Sequence, residues 1–142
     1  MSTNSGQITE QVAKLFQDKN FAFVSTLMKD GSPQITPTWV DIKENGEYSI
    51  LINTAEGRVK HNNLSRDPRL AISVMNRNNP YEMVTIRGKI IEQIRLNAAE
   101  EHIDKLAKKY LSVDKYPGRS PGEKRVILRV KPEKIFYQPP IR

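Results

Sequence analysis

The sequence predicts a mainly β protein with helices (α+β class): six or seven antiparallel strands closing into a barrel, with three helices at its ends. Three observations carry this. Alternating apolar stretches are separated by the turn signals Asp30-Gly31 and Asn45-Gly46, whose glycines suit tight hairpins. Few helical stretches intervene between the strands, as in a meander or barrel. A doubly wound parallel sheet would need regular strand and helix alternation and a glycine-rich first turn, and neither is present.

The elements follow in order. Residues 1–6 are polar and expected to be disordered. Ile8, Val12, Leu15 and Phe16 share helical spacing up to a stop at Asn20. Residues 21–28 form a strand and 33–42 a second, in which Pro33 and Pro37 cannot donate to a ladder. That strand belongs at a sheet edge or a bulge. Residues 48–53 form the third strand, and a short amphipathic helix spans 58–65, closed by Asp67-Pro68. Residues 70–75 and, after Asn78-Asn79-Pro80, 81–94 are further strands, with Gly88 marking a bulge or bend. Asn97 with Glu100 reads as a capping box for a helix whose Ala99, Ile103, Leu106, Ala107 and Tyr110 share one face. On its other face Glu101–Lys105 and Asp104–Lys108 are spaced as i,i+4 ion pairs. A basic Pro/Gly-containing loop, 112–124, leads to strands at 125–130 and 134–138.

A chain of 142 residues with no low-complexity tract is expected to be one domain, 1–142. The absence of cysteine excludes disulfides, thiolate metal sites and cysteine nucleophiles. No apolar run approaches the roughly 18 residues of a membrane span, and the polar N-terminus has no signal-peptide core, so a soluble cytoplasmic protein is expected. With 23 Lys+Arg against 16 Asp+Glu the net charge is +7, which attracts anions. The cations are scattered along the chain, which favours a localised anion pocket over a nucleic-acid face.

The informative segment is Asn53-Thr54-Ala55-Glu56-Gly57-Arg58-Val59-Lys60. It puts two cations in the first turn of a helix, where the macrodipole is already positive. An anion at that helix start would account for them, with Arg58 forking onto it, Lys60 adding a point charge and Thr54 a hydroxyl. The alternative is that both side chains swing into water, or that Glu56 pairs with one of them. His61 and His102 lack metal-ligand spacing and read as solvated or capping residues. No serine has a nucleophile-elbow context. Trp39 is either a core or interface aromatic or the neighbour of a stacked planar ring.

These motifs resemble a known family. Residues 21–28 and 30–34, Pro37-Thr38-Trp39-Val40-Asp41, residues 53–60 and 63–69 resemble the pyridoxamine 5'-phosphate oxidase-like split β-barrel family, whose fold is FMN-binding-like. Tyr81-Glu82-Met83, Ile86-Arg87-Gly88-Lys89, residues 102–110, residues 116–123 and Arg125-Val126-Ile127 are similar to its branch of small oxidoreductases dependent on the deazaflavin coenzyme F420. The resemblance covers about residues 10–138.

The resemblance implies a homodimer with cofactor clefts at the subunit interface. It makes Arg58 and Lys60 the phosphate binders, Asn53 and Thr54 the polar positions before them, and Gln34, Thr36 and Trp39 the strand along the ring. Hydride would pass from reduced F420 to an electron-poor small molecule such as an unsaturated carbonyl or a quinone. No catalytic side chain and no metal is then needed, because the cofactor carries the chemistry. FMN is the alternative cofactor; a non-catalytic cofactor carrier or a basic nucleic-acid binder is a reading from another class. Glu56 departs from the family pattern, either weakening phosphate binding or orienting Arg58. The loop cations at 115–124 would suit the polyglutamate tail of F420. Vitamin salvage is not expected, since the chain is short and its end lacks the Arg-x-His motif associated with pyridoxamine phosphate oxidase proper.

Overall fold

The computed structural model describes residues 2–4 and 7–141. Its elements run β1 (Ser2–Asn4), α1 (Glu10–Gln17), β2 (Ala22–Leu27), β3 (Pro33–Thr38), β4 (Asp41–Asn45), β5 (Glu47–Ala55), α2 (Val59–Arg66), β6 (Arg69–Asn76), β7 (Asn79–Ile94), α3 (Asn97–Leu111) and β8 (Arg125–Gln138). The two hairpins turn where the sequence places them, at Gly31 and Gly46, both at φ near +80 to +87°, a region open to glycine without steric cost.

All eight strands form one antiparallel sheet in the order β3-β2-β6-β7-β8-β5-β4, with β1 added on β8. The proline-bearing β3 is an edge, as expected. The predicted strand 33–42 is in fact two strands, β3 and β4, lying at opposite edges of the sheet and joined only by Trp39 and Val40. A link of that length spans at most about 11 Å. The sheet must therefore curl until its edges meet, and this seam is the split of the barrel.

Inside the barrel, Val24, Ile52, Ile72, Val84 and Leu128 pack against Val12 and Phe16 of α1. The first turn of α1 is capped by Thr9, whose Oγ1 accepts from the Val12 N–H at 3.3 Å. Helix α3 lies on the outer face instead, where Ala99 meets Leu51 and Ile127. Its last turn holds the seam: Lys109 donates to the carbonyls of Phe16 at 2.5 Å and Val40 at 2.8 Å. Tyr110 accepts from the Val40 N–H at 3.2 Å and donates to the Asn20 carbonyl at 2.7 Å. Burial brings the Lys109 ammonium down to about 8 and the Tyr110 hydroxyl up to about 12.

Several local expectations are corrected. Residues 2–4, expected to be disordered, pair with β8 in the register Ser2↔Tyr137; residues 1, 5 and 6 lie outside the described residues. Residues 125–138 form one strand, its Pro132 placed opposite Gly88 where the register shifts. A Cβ at Gly88 would overlap the Lys131 carbonyl, which explains the glycine at this bulge. Asn97 does not cap α3: the N-cap is Leu96, at φ 64°, with no side-chain hydrogen bond. The expected i,i+4 pairs of α3 are replaced by longer-range ones. Lys105 reaches Asp41 at 3.6 Å and Lys108 reaches Asp114 at 3.4 Å, while Asp104 takes Arg119 at 2.8 Å and Lys115 at 3.6 Å. Among the described residues, no helix is long and apolar enough to cross a membrane.

Candidate anion-binding site

The barrel seam, the end of β5, the start of α2 and the loop before β8 surround a cleft of about 210 Å³. Strand β5 is buried on both faces at its end, by the barrel interior and by α3, and this fixes Asn53 and Thr54 in the cleft wall. Gly57, at φ +88°, then turns the chain into α2. Arg58 is the N-cap of that helix and offers no side-chain cap, so the positive end of α2 is left to whatever occupies the cleft.

Three donors in this cleft have no acceptor among the described residues. Thr54 is only 2% exposed, yet its hydroxyl makes no hydrogen bond. Lys60 makes no ion pair; burial, with the charges of Arg58 and Arg125, holds its ammonium below the usual lysine range. Arg125, 4% exposed, donates from Nε to Asn53 Oδ1 at 2.9 Å and from Nη1 to Glu123 Oε1 at 2.7 Å, leaving Nη2 unbonded. Its guanidinium lies 5.2 Å from the centre of the Tyr116 ring. Glu123 also faces Arg58 at 3.6 Å. These donors open onto the cleft with no acceptor from the chain, so the arrangement is suited to an incoming anion.

Of the residues singled out in the sequence, Trp39, Asn53, Thr54, Arg58 and Lys60 converge on the cleft. Gln34 and Thr36 do not line it; they lie further along the inward face of β3, where the Thr36 hydroxyl is buried without a hydrogen-bond partner. One face of Trp39 is covered by Tyr110, stacked at 5.3 Å and 4°. Asn53 is already engaged, its Nδ2 donating to the Ala99 carbonyl at 3.0 Å and facing His102 Nδ1 at 3.1 Å. Glu56 pairs with Arg95 at 2.6 Å and so does not orient Arg58. Neither histidine is solvated: His61 accepts from the Gly57 N–H at 3.4 Å, a capping role, and His102 is buried between Asn53 and Asp41. In the 112–124 loop, Lys115 and Arg119 are held by carboxylates of α3, which leaves only Lys124 of the loop cations for an anionic tail. Arg125 was missed because its alternation with Arg129 reads as the solvated face of a strand. The signal that distinguishes them is its carboxylate neighbour Glu123.

A second, larger cleft of about 490 Å³ lies under the other side of α3, floored by Leu51, Ile94 and Ile127. Its buried charge is paired, whereas the exposed Lys43 and Glu101 at its rim make no ion pair among the described residues. Asp41 receives His102 at 3.0 Å and Lys105 at 3.6 Å, and Arg129 meets Glu92 at 2.7 Å. Burial alone would raise the Asp41 carboxyl, but the His102 hydrogen bond and the charge of Lys105 carry it below its ordinary value.

Similar folds occur among solved structures. An F420 reductase shares 24% identity and superposes with a TM-score of 0.75, over 91% of this chain and 98% of that one. A conserved hypothetical protein of Mycobacterium tuberculosis has a TM-score of 0.71 at 19% identity, over 94% and 86% of the two chains. HupZ of group A Streptococcus has 0.67 at 20%, over 96% and 98%. No curated protein matches in sequence. The family model of pyridoxamine 5'-phosphate oxidase matches residues 8–139. With nearly its whole length matched and the barrel seam opening on a cleft of unpaired donors, the chain belongs to the pyridoxamine 5'-phosphate oxidase family.

Proposed function

We propose that the chain is an oxidoreductase that binds a flavin-type cofactor by its phosphate in the smaller cleft. The observation that carries this is the set of unmatched donors, Thr54, Lys60 and Arg125, at the seam of a barrel of this family. Arg58 and Lys60 would hold the phosphate with the Thr54 hydroxyl, and the ring would run past Trp39 towards Gln34 and Thr36, where the orphaned Thr36 hydroxyl awaits an acceptor. Bound there, the cofactor supplies hydride transfer to an electron-poor acceptor. The side chains bind it, orient it and keep water from one side.

F420 is the first reading, supported by the ordered motifs and by the F420 reductase among the similar folds. FMN is the second. It is favoured by the ion pairs of Lys115 and Arg119, which occupy cations that a polyglutamate tail would need. A second copy of the chain completes the cleft in this proposal. The outer face of β3, β2 and β6 beside it carries Ile35, Pro37, Phe23, Ser73 and Met75 and presents apolar and hydroxyl groups suited to a like surface. Titrating apoprotein with F420 and with FMN, following cofactor fluorescence, tests the reading. Saturable binding of one of them is expected; binding of neither, or binding no better than that of a phosphate-free flavin, would overturn it.

A further inference from the structure

We infer that Arg125, held by a buried chain of side chains, determines the specificity of the cleft and makes it a site for a phosphomonoester dianion in preference to a phosphodiester. This rests on the cofactor reading above. Arg58, Lys60 and Arg125 converge with one carboxylate, Glu123, shared by the two arginines, which leaves two net positive charges. A phosphomonoester carries close to two negative charges above its second pKa of about 6, whereas a diester carries one. The three unfilled donors, the Thr54 hydroxyl, the Lys60 ammonium and the free Nη2 of Arg125, match the terminal phosphate oxygens of a monoester, which has three, whereas a diester has two.

The direction of every hydrogen bond in the buried chain follows from its arginine end. Arg125 Nε can only donate, so the Asn53 atom facing it is Oδ1. Asn53 Nδ2 must then face the Ala99 carbonyl and His102, which makes His102 Nδ1 an acceptor. The ring proton is consequently on Nε2, donated to Asp41 Oδ2 at 3.0 Å. Asp41, His102, Asn53 and Arg125 are all buried, so water competes little for these bonds. With Nε and Nη1 fixed in this way and the guanidinium against Tyr116, only the Nη2 side of Arg125 is available to a ligand. Arg125 thus adds a ligand-contacting cation to Arg58 and Lys60, and Asn53 is a positioning residue that acts through it.

The test compares FMN with its 5'-monomethyl ester at pH 8, by flavin fluorescence, on the 142-residue chain. Wild type is expected to bind FMN about 10-fold more tightly than the ester, a single charge-assisted contact's worth of discrimination. Arg125→Gln should bring the ratio close to one. Asn53→Leu should lower it as well, although Arg125 is still present, and should abolish an exchange-protected Arg125 Nε–H proton signal that wild type shows. Equal affinities for monoester and diester in wild type would overturn the inference, as would a ratio unchanged in a folded Asn53→Leu or Arg125→Gln variant. Both failures would leave the cofactor site standing, provided Arg58→Ala weakens both ligands. If FMN and its ester bind no better than riboflavin, it is the cofactor reading itself that fails. Because the phosphate of F420 is a diester, the inference sides with the FMN reading over the F420 reading that the motifs favour, and a wild-type ratio near 10 would decide between them in favour of FMN.

Discussion

The molecule has two clefts on either side of α3, and the smaller is the better candidate. The larger, about 490 Å³, has its buried carboxylate Asp41 matched by His102 and Lys105 and its Arg129 by Glu92, and leaves only the exposed Lys43 and Glu101 unpaired among the described residues. The smaller, about 210 Å³, leaves a hydroxyl, an ammonium and half a guanidinium facing the cleft without acceptors. Volume records where side chains fail to meet, whereas unmatched donors record an acceptor that the chain itself does not provide. The same helix separates a solved electrostatic problem from an open one.

The largest effect that would break this comparison is on affinity. Arg58→Ala and Lys60→Met should each weaken binding of a flavin phosphate by about 10- to 100-fold, the range for loss of one charge-assisted partner. Arg129→Gln, in the larger cleft, should leave affinity unchanged. If fluorescence titration shows the reverse ranking, the clefts have been assigned the wrong way round.

A smaller effect concerns the ligand-free protein. The ammonium of Lys60 binds its proton less tightly in the folded chain than in the unfolded one, because of burial and of Arg58 and Arg125. At neutral pH the charged side chain therefore destabilises the fold, and this penalty is relieved as pH rises towards the unfolded value of 10.5. Lys60→Met should melt a few degrees higher than wild type without ligand. A lower melting temperature would show that Lys60 supports the fold and that the cleft needs no anion.

The smallest effect lies in the larger cleft and has the opposite sign. The pKa of Asp41 is depressed in the folded state, so its ionised form stabilises the protein above 3.8 and that contribution is lost as pH falls through the lower folded value. Denaturation of wild type and Asp41→Asn should therefore give a stability gap that is constant near neutrality and closes in acid. A gap that widened below pH 3.8 would mean that Asp41 is strained in place of being satisfied.

How much of this was legible depended on the range of the interactions. Gly31 and Gly46 announce hairpins because a positive φ is a property of the residue itself. Pro33 and Pro37 announce an edge because a missing donor is equally local. Arg58, Lys60 and Thr54 were legible from their position at a helix start. By contrast, Glu56 turned to Arg95 and Lys105 to Asp41, partners 39 and 64 positions away that no spacing rule connects. The capping box at Asn97 failed because Leu96 took the cap at φ 64°, a conformation unfavourable for a branched side chain and invisible in its identity. Arg125 was hidden for a related reason. Alternation reports which residues share a face, and only the packing of α3 shows that this end of β8 is covered on both.

The two-residue seam at Trp39 and Val40 also bears on how the barrel assembles. Its neighbours β2–β3 and β4–β5 are hairpins between adjacent strands, so each can form while little chain has been closed. The pairings that unite them, β2 with β6 and β5 with β8, enclose long stretches of chain and carry the larger entropic cost of closure. The seam is then a hinge between two early hairpins, and the later strands set its angle. Edges joined by a covalent step have no ladder to hold them, so native-state amide exchange should open β3 and β4 at lower free energy than β7, whose long ladder to β8 lies at the centre of the sheet.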